Sequence, residues 1–243
     1  DTVTLKNSPG DGIRVQNTSN ATFRRLSVSW DAGSVTANGA YAIYPVNVTG
    51  VLVEICEVVG ASDAGIYVGQ SRNIAVRNNV GHGNVAGIEI ENSTNADVYG
   101  NRAYDNTAGV LVFNLPNLPV RDGRRCLVRD NTVENNNRAN FAPRGSIVAQ
   151  VPAGTGMLVM SADETEVRGN TVRGNVTTGV VVLNYRSILG DPRDAMFSPY
   201  PETTWVHDNT FAMNGADPRY DLLRNATEML PLEDILWDGS VDP

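Results

Sequence analysis

Cysteine, aromatic residues and long apolar runs are all scarce in this sequence. Two cysteines among 243 residues cannot form a disulfide framework, and an aromatic content of 7% excludes a core built on large rings. No apolar run reaches the roughly 18 residues of a membrane-spanning helix, so no membrane span is predicted. No signal peptide is evident, and because the first residues resemble the middle of a repeat, we expect a piece of a longer protein.

Positive charge is also in short supply. The sequence has 19 Lys and Arg against 27 Asp and Glu, which gives a net charge of −8. Because nucleic-acid binding needs a basic surface, no nucleic-acid partner is predicted. The sequence contains no phosphate-binding glycine loop, dinucleotide fingerprint, zinc-ligand spacing, calcium-binding repeat or Ser-His-Asp pattern. We therefore predict no cofactor and no metal.

A short phrase recurs in the middle of the chain at constant spacing. Residues 65–68 (Gly-Ile-Tyr-Val), 87–90 (Gly-Ile-Glu-Ile) and 109–112 (Gly-Val-Leu-Val) are each 22 residues apart. A repeat of this length, with apolar residues at alternate positions, is typical of a β-solenoid in which each coil stacks on its neighbours. Related phrases extend the pattern in both directions, at residues 12–15, 42–45, 156–159 and 179–182.

Polar residues, mostly asparagine, recur in three columns along the coils. Asparagine tolerates the left-handed conformation needed at a bend, and its amide both donates and accepts hydrogen bonds. We therefore interpret nearly all of these residues as structural ladders between coils. The first column is Asn79, Asn101, Asn131, Asn170 and Asn209, the second is Asn84, Asn106, Asn136, Asn175 and Asn214, and the third is Asn47, Gln70, Asn92, Asn114, Ser161 and Asn184.

These features predict an all-β fold, a parallel β-helix of about 22-residue coils with three short strands per coil. We expect residues 1–215 to form the β-helix and residues 216–243 to cap its open end, with a short helix at 220–224 and a strand within 230–237. Cys56 and Cys126 are expected three coils apart, too far for a disulfide.

Three insertions interrupt the regular coils, at residues 115–125, 137–155 and 185–203. Long loops on a rigid scaffold are where function concentrates. The first and third insertions leave the coil at the same corner, directly after the first strand. We therefore expect them to project on one side and to form the wall of a groove.

The candidate site occupies the outward position of the first strands. Tyr44 and Glu91 are candidate substrate-binding residues, because aromatic faces pack on sugar rings. Tyr67, Glu89 and Asp63 are candidate catalytic residues, because ionisable groups serve as acids and bases. The alternative is an ordinary half-solvated sheet face. In either case we expect Tyr67 and Glu89 to be exposed. The outward position runs Arg14, Tyr44, Tyr67, Glu89, Leu111, Leu158 and Val181.

A second stripe follows the outward position of the second strands, through Glu54, Arg77, Tyr99, Arg129, Arg168 and His207. Arg77 and Tyr99 are candidate substrate-binding residues, since arginines beside aromatic rings can hold an acidic polysaccharide. His82, between two of the asparagine columns, is a candidate general base, with a solvated loop histidine as the alternative.

The repeated Gly-Ile-x-Val phrase, followed by Asn-x-x-Val-x-x-Asn, resembles the right-handed parallel β-helix of the pectate-lyase-like superfamily, which includes pectate and alginate lyases and alginate C5-epimerases. Residues 38–46, 60–71, 86–93 and 140–144 are similar to the bacterial parallel β-helix repeat-containing proteins. The resemblance covers residues 1 to about 215 and implies a right-handed helix. It is specific for the fold and loose for the function.

One motif of that superfamily is altered. Alginate epimerases of this fold carry Tyr-Gly-Phe-Asp-Pro-His on the first-strand face, whereas residues 41–46 here are Tyr-Ala-Ile-Tyr-Pro-Val. Tyr44 replaces the Asp and Val46 replaces the His. Epimerase or alginate-lyase chemistry is therefore not expected at this motif.

We expect an exported carbohydrate-active protein, secreted, periplasmic or on the cell surface, that binds a polysaccharide across Tyr44, Tyr67 and Glu89. Cleavage by β-elimination, with Tyr67 or His82 as the base, is one form of this hypothesis. The alternative is a non-catalytic surface or scaffold module that binds a protein partner. Closure of the first and third insertions over the tyrosines would favour the enzyme, and an open face would favour the scaffold.

Overall fold

Each coil of the chain is built from three short strands that pair in parallel with the coils on either side. The computed structural model describes residues 2–219, 224 and 229–242. Successive coils place their strands in three sheets, named here the first, second and third sheet in the order in which the chain visits them. The predicted parallel β-helix with three strands per coil is confirmed.

The first sheet contains the segments that carry the repeated phrase. Its strands are β2 (Ile13–Arg24), β4 (Tyr41–Glu54), β6 (Ala64–Gly69), β9 (Ala86–Glu91), β12 (Ala108–Phe113), β15 (Thr155–Met160), β18 (Thr178–Leu183) and β21 (Ile235–Trp237). Strands β2 and β4 are long and bend from the first sheet into the second, so the two sheets are continuous there.

The second and third sheets complete each coil. Besides β2 and β4, the second sheet contains β7 (Arg72–Arg77), β10 (Thr94–Tyr99), β13 (Arg124–Arg129), β16 (Glu166–Arg168) and β19 (Trp205–His207). The third sheet contains β1 (Val3–Lys6), β3 (Leu26–Ser29), β5 (Glu57–Val59), β8 (Val80–His82), β11 (Arg102–Tyr104), β14 (Thr132–Glu134), β17 (Thr171–Arg173) and β20 (Thr210–Ala212).

The interior between the three sheets is a narrow column of aliphatic side chains. Ile43, Ile66 and Ile88 occupy the same register position in adjacent coils, and all three are buried. Their β-branched side chains pack well on the pleated surface of a sheet. Cys56 and Cys126 are buried free thiols, in agreement with the prediction that they do not form a disulfide.

Two of the three polar columns form hydrogen-bonded ladders. The Nδ2 of Asn79 donates to the Oδ1 of Asn101 at 3.0 Å and to the carbonyl of Val53 at 3.0 Å. The second column repeats this geometry, with the Nδ2 of Asn84 at 3.1 Å from the Oδ1 of Asn106. A buried amide without a hydrogen-bond partner costs free energy. In these ladders the amide of each coil finds its partner in the neighbouring coil.

The third column is not a ladder, and this part of the prediction is wrong. The Nδ2 of Asn92 instead donates to the carbonyls of Leu115 and Val120, at 2.9 and 2.7 Å. The Nδ2 of Asn114 donates to the carbonyls of Gly123 and Ser161. These amides fasten the first insertion to the coil because the insertion separates the column from its next member.

The left-handed bend is made by the residue before each ladder asparagine, and not by that asparagine itself. Ahead of the first column lie Asn78, Gly100, Asp130, Gly169 and Asp208, all with φ between 52° and 64°. Asn, Asp and Gly tolerate this conformation better than other residues. The bend turns the ladder side chain into the column, where it meets its neighbour in the next coil.

The insertions pack against the body of the solenoid. The first and third lie at the same corner, as predicted, where the Nε of Arg121 is 2.6 Å from the Oδ2 of Asp194. The second insertion contains a 3₁₀ helix, Ile147–Gln150, and extends back towards the first coils, where Thr36 donates to the carbonyl of Phe141 at 2.8 Å. The third insertion contains the short helix α1, Arg186–Leu189.

The predicted capping segment contributes strand β21, which pairs with β18 and extends the first sheet by one coil. Residues 220–223 of the predicted capping helix lie outside the described residues. No helix within the described part of the chain is long and apolar enough to cross a membrane.

Candidate functional site

The outer face of the first sheet carries the predicted row of outward side chains in register. Tyr44 lies beside Tyr67, Glu89 follows in the next coil, and Leu111 and Leu158 continue the row. The alternation predicted from the sequence therefore places these side chains on one face. Polar residues occupy the N-terminal half of the row and aliphatic residues occupy the C-terminal half.

This face is covered, so the prediction that Tyr67 and Glu89 are exposed is wrong. Tyr67 is 4% exposed and Glu89 is 2% exposed. Val148 of the second insertion packs onto the face together with Leu111 and Leu158. The aliphatic half of the row supplies the physical reason, because apolar outward positions gain free energy when a loop removes them from water.

The covering loop is not the one that the spacing of the insertions suggested. The second insertion lies over the middle of the row, and Ile188 and Leu189 in α1 of the third insertion join the same apolar layer. The first insertion contributes Leu115 at its edge. The first and third insertions both reach this layer, as the predicted wall requires, but the sequence did not show that the second insertion crosses the sheet from the opposite corner.

Three tyrosine rings pack against one another at the N-terminal end of the row, in what we call the tyrosine cluster (Tyr41, Tyr44 and Tyr67). The ring centroids are 4.4 Å apart for Tyr41 and Tyr44, and 4.9 Å apart for Tyr44 and Tyr67. Tyr67 is buried, whereas Tyr41 and Tyr44 are each partly exposed. Tyr41 was missed in the sequence because it lies just outside the repeated phrase.

Three carboxyl groups lie beside these rings and form what we call the carboxyl cluster (Asp63, Glu89 and Glu91). The hydroxyl of Tyr41 is 3.3 Å from the Oδ2 of Asp63. The Nε2 of Gln70 donates to the Oε1 of Glu91 at 3.0 Å and lies 3.4 Å from the hydroxyl of Tyr67. Gln70 had been assigned to a structural column, and no signal in the sequence separated it from that column.

Burial gives this cluster unusual acid–base properties. Loss of solvent raises the pKa of Asp63 to about 7 and that of Glu91 to about 7. The pKa of Glu89 lies well above its usual value, because it is buried and because Asp63 and Glu91 are negative neighbours. Burial also raises the pKa of Tyr41 and Tyr67. The carboxyl groups of the cluster therefore bind protons more tightly near neutral pH than exposed carboxyl groups do.

No cation compensates the carboxyl cluster. Among the described residues, no ion pair involves Asp63, Glu89 or Glu91. Arg14 lies at the N-terminal edge, where its Cζ is 5.1 Å from the centre of the Tyr44 ring and its Nη1 is 3.7 Å from the Oδ2 of Asp11. The described side chains also include no group of three or more His, Cys, Asp or Glu suited to holding a metal ion.

A small cavity adjoins the carboxyl cluster beneath the covering loop. It measures about 30 Å³ and is lined by Glu89, Leu111, Val148 and Leu189, among others. The Oε1 of Glu89 is buried and has no hydrogen-bond partner. Buried polar atoms are normally paired, so an unpaired carboxyl oxygen beside a cavity marks a position for a further hydrogen-bonding group.

The remaining predicted site residues lie elsewhere. His82 is in β8 of the third sheet, where its ring stacks on Tyr104 at 4.8 Å between centroids. Arg77 and Tyr99 lie in the second sheet, where the Nη1 of Arg77 donates to the hydroxyl of Tyr99 at 2.9 Å. The predicted second stripe is therefore a separate face of the solenoid. His82, which was proposed as a base for the tyrosine face, also lies on a different sheet from Tyr67.

The site residues thus belong to consecutive coils of one regular solenoid. A family model described as a right-handed beta helix region matches residues 11–191. The chain belongs to this right-handed β-helix family. The predicted fold class, including the handedness that the sequence resemblance implied, is confirmed. A search of curated proteins finds no match to this β-helix chain.

Two solved structures resemble this β-helix at low sequence identity. The A-module of the Azotobacter vinelandii mannuronan C-5 epimerase AlgE4 is 17% identical, with a TM-score of 0.44, and the match covers 87% of this chain and 57% of that one. The A-module of AlgE6 from the same organism is 12% identical, with a TM-score of 0.43, and the match covers 92% and 65%. The chain therefore spans about three fifths of the length of these structures.

Proposed function

We propose that this protein binds a polysaccharide on the outer face of the first sheet and hydrolyses it with the carboxyl cluster. The observation that carries the proposal is the set of three carboxyl groups with raised pKa and no compensating cation, placed beside three packed tyrosine rings. Strongly perturbed ionisable groups gathered in one place are typical of functional sites.

The tyrosine cluster supports a sugar ligand. Tyr41 and Tyr44 present partly exposed rings with polar hydroxyls, and such rings combine an apolar face with a hydrogen-bonding edge. A sugar ring has the same combination of apolar and polar surface. The second insertion covers the aliphatic half of the row, so we propose that the substrate lies at the N-terminal half, near Arg14.

The carboxyl cluster supports acid–base hydrolysis. Glycoside hydrolysis uses one carboxyl group that carries a proton and a second that is ionised. Because Asp63 and Glu91 both have pKa values of about 7, each is able to give or accept a proton near neutral pH. We assign these two the acid and base roles. Glu89 is too deeply buried to contact the substrate, and we assign it the role of a neighbour that is electrostatically coupled to Asp63 and Glu91.

β-Elimination by a tyrosine base, which the sequence suggested, receives less support from this geometry. A base must lose its proton, and burial raises the pKa of Tyr67, which opposes that loss. Acidic sugars would also meet three carboxyl groups, and the one cation that the structure describes near this half of the row, Arg14, already lies beside the carboxylate of Asp11. We therefore propose a neutral polysaccharide as the substrate. Because structural and storage polysaccharides are commonly met outside the cell, we also propose that the protein is exported.

The test is cleavage of a panel of neutral and acidic polysaccharides by the full chain. Newly formed reducing ends report hydrolysis, and the ultraviolet absorbance of an unsaturated product reports β-elimination. We expect Asp63→Asn and Glu91→Gln each to reduce the rate about 10²–10⁴-fold, the usual contribution of a general acid or base. Glu134→Gln is the matched control, because Glu134 is a buried carboxylate of the third sheet that pairs with Arg102 and Arg173.

Each outcome has a definite meaning. Reducing ends without unsaturated product, lost in both variants and kept in the control, support hydrolysis at the carboxyl cluster. Unsaturated product would instead establish β-elimination. Binding without cleavage would reduce the protein to a carbohydrate-binding module, and neither binding nor cleavage would favour the scaffold function.

A further inference from the structure

A second cavity lies at the opposite, C-terminal end of the same sheet face. It measures about 200 Å³. Its floor is formed by the outward side chains Leu158, Val181 and Leu236 from three successive strands, and its roof by Ile188 of α1. The carboxyl and tyrosine clusters do not line it, so it is separate from the proposed polysaccharide site.

The size of this cavity limits the ligand to about one ring. Pockets for drug-sized molecules usually measure about 300–1,000 Å³, which is larger than this one. An apolar cavity of about 150 Å³ is known to accept a benzene molecule. The present cavity therefore fits a single aromatic ring with one small substituent.

The polar groups around the cavity act as acceptors. The hydroxyls of Thr155 and Thr177 already donate to the carbonyls of Pro152 and Ala153, at 2.9 and 2.6 Å. The hydroxyl of Ser187 donates to the Oδ2 of Asp238 at 2.7 Å. With their protons committed, these hydroxyls can only accept from a ligand. Thr177 and Ser187 already accept from the backbone N–H of Arg219 and the Nδ2 of Asn184, so each keeps one lone pair.

Asp238 makes the rim negative. Burial raises the pKa of this carboxyl, but hydrogen bonds from Ser240, Asn184 and Ser187 outweigh burial and hold the pKa below its usual value. Among the described residues, no Lys, Arg or His lines the cavity. An anionic ligand would therefore be repelled, whereas a ligand that donates a hydrogen bond would be attracted.

We propose that this cavity is a binding site for a small, uncharged aromatic molecule that carries one hydrogen-bond donor, as phenol does. The ring packs against Leu158, Val181 and Leu236, and the donor group points to the acceptors at the rim. The indole of Trp237, which also lines the cavity, lies at its entrance, since it is 60% exposed.

The test is isothermal titration of the full chain with phenol, benzene and benzoate. We expect phenol to bind, benzene to bind more weakly because it has no donor, and benzoate not to bind. Val181→Phe fills the cavity from its floor and should weaken phenol binding by about tenfold or more, a change that titration resolves readily. Val206→Ile, in the second sheet, is the control for a substitution outside the cavity and should bind phenol as the natural chain does.

Three results would overturn the proposal: no heat with phenol, equal affinity for phenol and benzoate, or equal affinity of the natural chain and Val181→Phe. If Val181→Phe does not fold, as judged by circular dichroism, Leu236→Phe on the outermost strand replaces it. Leu236 lines the same cavity, and within the described ranges β21 pairs with β18 only, so this strand has more freedom to adjust.

Discussion

Glu89 on the first sheet and Glu54 on the second are both buried glutamates on outer faces of this β-helix, yet the charges around them have opposite signs. Glu54 is 5% exposed and lies between Arg24 and Arg77, which both donate to its carboxylate. These hydrogen bonds lower its pKa. Glu89 is 2% exposed and has two negative neighbours, and in the part of the chain that the structure describes it forms no ion pair with a cation, so its pKa is raised.

The difference separates a structural carboxylate, Glu54, from one that we propose is functional, Glu89. Removing a charge from water costs free energy that a well-placed counter-ion offsets. On the second sheet that offset is present, so Glu54 joins neighbouring coils. On the first sheet it is absent, and the folded chain retains a destabilising cluster. Destabilising groups of this kind, gathered in one place, are typical of functional sites.

The largest effect that distinguishes the two faces should be the pH dependence of stability. Glu91 has a pKa of about 7 in the folded chain against 4.5 as its ordinary value, so the folded state holds the proton more tightly. Its contribution is favourable below pH 4.5 and is lost as the pH rises through 7. At about 1.4 kcal/mol per pKa unit, Glu91 alone should lower stability by about 3 kcal/mol at alkaline pH.

Urea denaturation at about pH 5 and about pH 8 measures this loss. The control is the triple variant Asp63→Asn, Glu89→Gln, Glu91→Gln, in which the difference between the two pH values should shrink. Glu54 acts in the opposite direction, since its lowered pKa stabilises the fold above its usual pKa and loses that effect as the pH falls. An equal pH dependence in the natural chain and the triple variant would contradict the assigned pKa values.

The next effect is a gain in stability from Glu89→Gln. Glutamine keeps the shape of the side chain and has no proton to gain, so the cost of keeping Glu89 protonated in the fold disappears. We expect the free energy of unfolding at about pH 8 to rise, because each unit by which the folded chain raises the pKa of a carboxyl costs about 1.4 kcal/mol once the unfolded chain has lost that proton. Any hydrolytic activity should fall in the same variant. A destabilised Glu89→Gln protein would show that Glu89 holds the fold together.

The matched change on the second sheet should act with the opposite sign. Glu54→Gln removes the negative charge that Arg24 and Arg77 share, while both arginines remain partly exposed to water. We therefore expect the melting temperature to fall by a few degrees, with no change in activity. Differential scanning calorimetry of Glu54→Gln and Glu89→Gln side by side gives the comparison directly. A rise of the melting temperature in both variants would show that the two glutamates do not differ in this way.

The smallest effect on stability should come from Tyr67→Phe. The ring keeps its contacts with Tyr41 and Tyr44, and only the hydroxyl is lost, with its hydrogen bonds to Gln70 and Glu91. Each hydrogen bond of this kind contributes about 0.5–1.5 kcal/mol. Polysaccharide binding should weaken more than stability does, as measured by titration. Unchanged binding would remove Tyr67 from the site.

The candidate site was predictable in its register and not in its environment. Tyr44, Tyr67 and Glu89 were placed on one face because a period of two within each strand and a constant coil length determine their alignment. The burial of Tyr67 and Glu89 was not predicted, although the outward Leu111 and Leu158 were a signal that something covers this face. His82 was proposed as a base for this face but lies in the third sheet, because the repeat pattern does not show how far apart the outer faces of two sheets are.

The repeat, the parallel strands and the asparagine ladders can be read from the amino-acid sequence, because each depends on a local pattern that recurs from coil to coil. The path of the second insertion across the first sheet cannot, and neither can the burial of Glu89 or the raised pKa values of its neighbours, which depend on that path. A pKa depends on the water and charge around a group, and these come from distant parts of the chain. At Glu89 that environment includes Val148, which the chain contributes 59 residues later, from a loop without a repeat.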